Sequence, residues 1–494
     1  MNNARSLSVL MLSSLIFATG CNDKNGDILS DGGKDEIENN VPENTAKPNI
    51  LLIVTDQQSY NTISAYANQG FYAKNYFSTP NLDRLVNDGI SFINTYCSNP
   101  VSVPSRFSLF TGKYGGAYKI RENNSSEADE AEVRSLLSTN AMGTVFSKGG
   151  YETVYGGKVH LPFSGKSGGS KFAAPEGYGF EKYLTDDERD VLADVVSDFI
   201  RNRKSNEKPL LLVASFLNPH DICLVSSSMT DHTKLEEESK EEVRRQVEEL
   251  YAELENNPGV EDNIPLPENI EGHTYDEFKN KNNLFYQATK KTKDYTDDDW
   301  RKYRWCYQKL VSIVDNYIGK LLDAVDENED FKKNTIIVFT SDHGEMQGAH
   351  KMTTKSLPFE ECQRVPFIFS GCGIEHRFDN LPVCNGVDLI PTLCGLAGIE
   401  APECDGVSLA ERIKKPEYSI EREMIYIESE QFVTVVDDNY KYTWYDAVKN
   451  PGAYTETETL TDLNENPGEL MDIKKVDKVL MQHYKEWIIN NHNK

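Results

Sequence analysis

A short polar segment at residues 102–106 brings a hydroxyl group, a proline and an arginine together. The segment is Ser-Val-Pro-Ser-Arg, and Thr111-Gly112 follows it. The residues after it predict a helix, so Ser102 is expected at a helix N-terminus, where free N–H groups and the helix dipole favour negative charge. Arg106, one turn later, can point to the same place. The segment suits a nucleophile that attacks an anionic, tetrahedral group, although an ordinary helix cap remains the alternative.

Two apolar runs each end in an aspartate that is followed by a second possible ligand. The run NILLIV leads to Asp56 and Gln57, and the run NTIIVFT leads to Asp342 and His343. Both runs are short and β-branched, which is typical of buried parallel strands. Ligands gather at the carboxyl ends of such strands. Each pair alone could be a turn, but together they predict a cation site, in which an imidazole would be an unusual ligand for Ca²⁺.

Four further ionisable side chains follow predicted strands or lie in glycine-rich loops. Lys158 and His160 come after a short strand, and they would project to one face if the segment stays extended. His220 follows the strand PLLLVASF and could act as a general acid. Lys355, together with His350, lies in the loop after Asp342. Each of these residues alone could be an ordinary surface or core side chain.

Taken together, these motifs resemble those of type I sulfatases. The pattern (Cys or Ser)-x-Pro-x-Arg followed by Thr-Gly, the Lys-x-His element and the Asn-Pro-His context occur here in the family's order, over nearly the whole chain from about residue 48. The resemblance implies an α/β fold like that of alkaline phosphatase, in which helices sandwich a large mixed sheet. A small C-terminal antiparallel sheet plus a helix would complete the fold. Gln57 departs from the commoner aspartate, which removes one negative charge from the cation site.

The resemblance also implies a mechanism and its residues. Ser102 would be oxidised to formylglycine by a maturation enzyme, and its hydrated form would attack sulfur. One Ca²⁺ per chain would be bound by the metal ligands Asp56, Gln57, Ser102, Asp342 and His343. The catalytic residues would be Ser102, Arg106, Lys158, His160, His220 and Lys355. In this scheme His220 protonates the leaving oxygen, and His160 takes the proton that leaves when sulfate is expelled.

The N-terminus has the pattern of a bacterial export signal. Arg5 precedes the apolar stretch 7–17, which ends in Ala-Thr-Gly-Cys. This pattern resembles a lipobox, so Cys21 is expected to be lipidated after residues 1–20 are removed, although ordinary signal cleavage is the alternative. Residues 21–47 predict a flexible tether. We therefore expect an exported protein that is anchored to the cell envelope by lipid alone.

Composition and charge limit the remaining organisation. The 494 residues carry a formal net charge of −27, which argues against a nucleic-acid partner. Residues 48–420 are expected to form the catalytic domain, and residues 421–494 predict the small α+β subdomain. Eight further cysteines show no metal-binding spacing. Those between Cys362 and Cys404 could form a disulfide or remain buried thiols.

The function expected from the sequence is hydrolysis of sulfate esters on saccharides. A formylglycine-dependent phosphodiester or phosphonate ester hydrolase would share the nucleophile motif and is the nearest enzyme alternative. A catalytically silent, glycan-binding lipoprotein whose Ser102 is never modified is the alternative from another class. A serine phosphatase is less favoured, because the sequence shows no evident ligand set for two zinc ions.

Overall fold

The computed structural model describes residues 47–68, 76–165, 174–272, 283–446, 458–470 and 477–492. The expected export signal, Cys21 and the tether to residue 46 lie outside these ranges. Among the described helices, none combines the length and the apolar composition that crossing a membrane requires.

The strands form one large sheet and two small ones. The strands are β1 (Asn49–Asp56), β2 (Gly89–Phe92), β3 (Thr95–Tyr96), β4 (Glu152–Gly157), β5 (Lys182–Tyr183), β6 (Leu210–Pro219), β7 (Thr335–Ser341), β8 (Phe367–Gly371), β9 (Arg377–Asp379), β10 (Val383–Cys384), β11 (Ile425–Glu428), β12 (Phe432–Val436), β13 (Tyr440–Tyr445) and β14 (Glu458–Asp462). The large sheet has the order β5-β4-β6-β1-β7-β8-β2-β9, and β3 pairs with β10. The five strands from β5 to β7 are mutually parallel, whereas β8 is antiparallel to both its neighbours. The expected large mixed sheet is therefore confirmed.

Helices cover both faces of this sheet. The helices are α1 (Ser64–Asn68), α2 (Pro80–Asn87), α3 (Ser102–Thr111), α4 (Glu130–Asn140), α5 (Met142–Lys148), α6 (Asp190–Arg201), α7 (Ile222–Ser228), α8 (Thr233–Glu237), α9 (Glu241–Asn256), α10 (Leu284–Lys290), α11 (Asp297–Glu327), α12 (Glu329–Lys333), α13 (Glu360–Gln363), α14 (Asn385–Ala397), α15 (Ala410–Lys414) and α16 (Lys478–His492). Alternate residues of β1 point to opposite cores. Ile50 and Leu52 share a core with α3, α4, α5 and α14, and Leu51 and Ile53 share one with α2, α6 and α11.

The C-terminal part has its own antiparallel sheet, as expected. Strands β11 to β14 pair in chain order, and the turn after β12 is closed by a hydrogen bond from Asp437 N to Tyr440 O. Helix α16 packs on this sheet through Tyr484 and Ile488, and Tyr114 joins the same apolar cluster. Across the described part of the chain, the eight cysteines form no disulfide, so the thiol alternative applies.

Candidate active site

The carboxyl ends of the two central strands bring Asp56 and Asp342 side by side. Strands β1 and β7 are parallel neighbours in which Thr55 pairs with Ser341, and Asp342 N donates to Thr55 O at 3.2 Å. Both aspartates are fully buried. The apolar runs that precede them form the middle of the sheet, so burial of those runs carries the two carboxylates into the interior. The strand-end argument from the sequence places these two residues correctly.

Ser102 is the first residue of α3 and lies against this pair of strand ends. Its Oγ is 3.0 Å from His343 Nε2 and 3.3 Å from Lys355 Nζ. The helix is docked on the sheet by Ser105, whose Oγ donates to Asp342 O at 2.5 Å. The expectation of several free N–H groups here is wrong in part, because Val103 N donates to Asn123 and Pro104 has no N–H. The positive end of the helix dipole still faces the site.

Arg106 connects the two aspartates. Its Nε donates to Asp342 Oδ2 at 2.9 Å, and one of its terminal nitrogens donates to Asp56 Oδ2 at 3.2 Å. The other terminal nitrogen donates to Ser215 Oγ at 2.9 Å. The planar guanidinium reaches the two carboxylates with separate N–H groups of fixed geometry. In the described geometry Arg106 therefore holds the carboxylates in place.

The oxygen and nitrogen atoms at this point fit a divalent cation. One ligand atom from each of Asp56, Asp342 and His343 can be chosen so that all three lie within 4.8 Å of one another. His343 Nδ1 lies 3.0 Å from Gly344 O, and a carbonyl can only accept, so Nδ1 carries the proton and Nε2 faces the carboxylates. Asp56 Oδ1 is buried without a hydrogen-bond donor. An acceptor left in this state is suited to bind a cation.

Lys355 and Gln57 complete the surroundings of Ser102. Lys355 Nζ donates to Gln57 Oε1 at 2.8 Å and lies 3.8 Å from Asp56 Oδ1. The side-chain oxygen of Gln57 is thus held beside the carboxylates by the same ammonium that reaches Ser102. We call Asp56, Gln57, Ser102, Arg106, Asp342, His343 and Lys355 the inner cluster.

The charges near the inner cluster are tightly balanced. Lys158 Nζ lies 2.6 Å from Asp56 Oδ2. Although burial opposes ionisation of Asp56, the positive charges led by Lys158 hold its pKa well below the usual value. Burial and the negative charge of Asp56 raise the pKa of Asp342. A cation bound between these carboxylates would favour ionisation of both.

His160, His220 and Lys158 line a cavity of about 630 Å³ beside the inner cluster. Strand β4 ends at Gly157 and His160 has a φ of 43°, so the expected extended segment is wrong, yet Lys158 and His160 face the same cavity. Burial, together with the positive charge of Lys158, lowers the pKa of His160 to about 3. Burial and the charges of Lys355 and Lys158 also hold the pKa of His220 well below its usual value.

The cavity is also lined by the end of β5 and by the loops at residues 184–189 and 238–240. Its lining there includes Tyr183, Asp186, Glu188, Glu238 and Lys240, which we call the outer wall. Within the described ranges, no lysine or arginine forms an ion pair with Asp186, Glu188 or Glu238. The contrast with Asp221 is clear, since this cavity residue is paired with Arg189 at 2.9 Å. The outer wall is therefore acidic and poorly neutralised.

Two residues near the cluster were not predicted from the sequence, and one predicted residue lies elsewhere. Buried Glu345 accepts from Gln57 Nε2 at 2.5 Å, and Cys223 Sγ donates to Gln57 Oε1 at 3.3 Å. Burial raises the pKa of Glu345, although its hydrogen bonds to Tyr303 and Gln57 oppose this. His350 is buried, stacks on Phe359 and lies 3.3 Å from Asn269. Glu345 could have been suspected from the sequence, because it lies only two residues after the Asp342-His343 pair.

Comparison with known proteins identifies the family of this chain. Residues 48–399 match the sulfatase family. The chain is 29% identical over 468 residues to a Δ4,5-hexuronate-2-O-sulfatase of Bacteroides thetaiotaomicron, covering 88% of this chain and 87% of that protein. It is 27% identical over 417 residues to an N-acetylglucosamine-6-O-sulfatase of the same organism, covering 74% and 71% respectively.

A solved structure of a 2-O glycosaminoglycan sulfatase has the same architecture. The two chains superpose with a TM-score of 0.68 at 25% identity, over 90% of this chain and 92% of that chain. The family match covers β1, α3, β7 and the loop that carries Lys355, which are the elements that build the inner cluster. The chain belongs to the sulfatase family, and it is a sulfuric ester hydrolase with the alkaline-phosphatase-like fold.

Proposed function

We propose that this protein hydrolyses sulfate esters of saccharides through a formylglycine formed from Ser102, with one bound Ca²⁺. The single observation that carries the proposal is the position of Ser102 Oγ, 3.0 Å from His343 and 3.3 Å from Lys355. A nucleophile at this point has a cation site on one side and an ammonium group on the other. Both can neutralise the oxygens of a tetrahedral anion.

The residues of the inner cluster have separate tasks in this proposal. Asp56, Asp342, His343 and the amide oxygen of Gln57 would hold the cation, which neutralises charge on the sulfate oxygens when it is bound. The hydrated aldehyde at Ser102 supplies one hydroxyl group as the nucleophile and a second whose deprotonation permits release of sulfate. Lys355 and Lys158 orient the sulfate, and Arg106 keeps the two aspartates in position.

The histidines of the cavity are the candidates for proton transfer. His220 would protonate the leaving sugar oxygen, and His160 would accept a proton when sulfate is expelled. Because burial and lysine charges keep His220 neutral in the free protein, it must gain its proton in the complex with an anionic substrate. The negative charge of a bound sulfate ester favours the protonated imidazole, so binding of the substrate would prepare the acid.

Saccharide sulfates are the favoured substrates because of the relatives and the cavity. Both curated relatives described above are named for sulfated sugars. The cavity beside the cluster, about 630 Å³ in volume, is large enough for a sugar unit. Its histidines, carboxylates and tyrosine offer both donors and acceptors to hydroxyl groups.

The proposal is tested with protein matured in a host that forms formylglycine. The substrates are sulfated monosaccharides and a phosphonate monoester, and Ser102→Ala is the control. We expect calcium-dependent release of sulfate from at least one sugar, with slower hydrolysis of the phosphonate ester. Preferred hydrolysis of the phosphonate ester would favour the alternative enzyme class, and binding of sugars without turnover by matured protein would contradict the proposal.

We also propose that the protein is exported and lipid-anchored through Cys21, on the basis of the N-terminal sequence pattern. Metabolic labelling with a fatty acid should mark the wild-type protein and not the Cys21→Ala variant. Equal labelling of both proteins, or of neither, would contradict lipidation at this position.

A further inference from the structure

The side-chain amide of Gln57 is held at both ends. Its oxygen accepts from Lys355 Nζ at 2.8 Å and from Cys223 Sγ at 3.3 Å. Its nitrogen donates to Glu345 Oε2 at 2.5 Å. Both ends of the amide therefore have hydrogen-bond partners, and the residue is entirely buried.

The chemistry of these partners fixes which way the amide points. An ammonium group only donates, and an ionised carboxylate only accepts. A flipped amide would set its NH₂ group against Lys355 and its oxygen against Glu345, losing both bonds. The orientation with the oxygen toward the inner cluster is therefore set by the pair of Lys355 and Glu345.

Glu345 is surrounded by donors on both oxygens. Its Oε1 accepts from Tyr303 Oη at 2.6 Å, from Thr354 N at 2.7 Å and from Gln347 N at 3.3 Å. The side chain is fully buried. An acceptor with this many donors is rigid, because any rotation would break several bonds at once.

The same carboxylate also supports the loop that presents Lys355. Thr354, which donates to Glu345, directly precedes Lys355, and its φ of 73° lies in the left-handed region. Ser356 on the other side has a φ of 71°. A non-glycine backbone in this region is held only by its surroundings. Glu345 thus fixes both the lysine loop and the amide that the lysine contacts.

We propose that Glu345 is a positioning residue that makes Gln57 an oxygen ligand for the cation, and that the two side chains act as one unit. A carboxylate at position 57 would stand at hydrogen-bonding distance from Glu345 and repel it. This repulsion is avoided because Gln57 places a neutral oxygen at the cation site, whereas the negative charge lies on Glu345, which contacts the amide nitrogen of Gln57. The inference rests on the proposed cation site and concerns how that site is built.

The test measures Ca²⁺ binding directly, by calorimetric titration of chelator-treated full-length protein. E345Q gives position 345 an amide that can donate or accept, so the orientation of Gln57 is no longer fixed. We expect this variant to bind Ca²⁺ at least about 10-fold more weakly, the usual effect of losing a residue that orients a ligand. E361Q is the matched control, since Glu361 bonds to Asn269 and makes no described bond to Gln57. Its Ca²⁺ affinity should stay close to that of the wild type.

A double-variant comparison separates positioning from general damage. Q57A/E345Q should bind Ca²⁺ no more weakly than Q57A alone, because Glu345 acts through Gln57. Q57E should lower the midpoint of thermal unfolding, because it sets two carboxylates together. Q57E/E345Q should restore both this midpoint and Ca²⁺ binding, because a carboxylate at position 57 can accept a hydrogen bond from an amide at position 345. If E345Q does not fold, recovery in this exchanged variant supports the proposal and failure to recover contradicts it.

The outcomes also distinguish this inference from the proposed function. Saturable Ca²⁺ binding by the wild type with an unchanged affinity in E345Q would overturn the positioning role and leave the sulfatase mechanism intact. Additive losses in the double variant would overturn it as well. Absence of cation binding by the wild type would instead contradict the proposed cation site, and the inference would fall with it.

Discussion

The inner cluster and the outer wall of the neighbouring cavity are built in opposite ways. Apart from Lys355, which lies in a loop, the cluster lies at the ends of β1 and β7 and the start of α3, and its two aspartates share Arg106 at 3.2 and 2.9 Å. Apart from Tyr183 in β5, the outer wall consists of residues from two loops, and within the described ranges no lysine or arginine forms an ion pair with Asp186, Glu188 or Glu238. Rigid sheet ends suit a fixed chemical step, whereas loops can vary in charge without disturbing the sheet. We therefore expect the cluster to determine the reaction and the wall to influence the choice of substrate.

The largest expected effect comes from removing the nucleophile. Ser102→Ala cannot form formylglycine, so turnover of any sulfate ester should fall about 10⁴-fold or more, as for other nucleophile deletions. Ser108→Ala on the same helix is the control, because Ser108 Oγ donates to Pro104 O within α3. Steady-state kinetics with a sugar sulfate gives the comparison. Comparable losses in both variants would mean that the helix, and not the nucleophile, had been damaged.

Removal of His220 should have an effect that depends on the leaving group. A sugar alkoxide needs a proton as it leaves, so His220→Asn should reduce turnover of a sugar sulfate by about 10²–10³-fold. Nitrophenolate leaves without a proton, and turnover of 4-nitrophenyl sulfate should fall less than about 10-fold. The ratio of the two kcat values measures the role directly. Equal losses on both substrates would remove His220 from proton transfer.

His160 should make the folded protein sensitive to acid. Its pKa of about 3 lies below the ordinary value of 6.5, so the unfolded chain binds the proton more readily, and stability is lost as pH falls below 6.5. Between pH 7 and pH 4.5 the free energy of unfolding of the wild type should therefore fall by about 2–3 kcal/mol more than that of His160→Gln. Urea unfolding of both proteins at the two pH values gives the difference. A difference that does not change with pH would contradict this account of the buried imidazole.

The smallest effect is expected at the outer wall. Unpaired carboxylates there repel an anionic sugar, so Glu188→Gln and Glu238→Gln should raise kcat/KM for a hexuronate 2-O-sulfate by about 3-fold each, by a weak, solvent-exposed charge effect. N-acetylglucosamine 6-O-sulfate has no carboxylate and should show little change. Added salt should reduce the difference. An equal gain on both sugars would show that the wall does not select by charge.

The part of the site that the sequence predicted best is the part carried by regular elements. The run before Asp56 and the run before Asp342 are apolar enough to predict central strands, and parallel strand ends meet at one edge. The large mixed sheet was implied by the resemblance to sulfatases, and the C-terminal antiparallel sheet was expected from residues 421–494. Ser102 at the start of α3 was likewise predicted from its local pattern.

The part that could not be predicted depends on side chains from distant loops. Sequence spacing did not reveal that Arg106 would join two aspartates, since its partners lie 50 and 236 residues away. The bond between Gln57 and Glu345 spans 288 residues. The backbone at His160 leaves the extended conformation, with a φ of 43°. Contacts of this kind arise only when the sheet has assembled.

The most direct test of the central claim is the mass of the peptide that contains Ser102, from protein produced in its native host. Conversion to formylglycine removes two hydrogen atoms from the serine side chain. We predict that this loss is found at Ser102, and that the modified fraction of the protein rises in proportion to its specific activity toward a sugar sulfate. An unmodified Ser102 in protein with full activity would contradict the proposed mechanism.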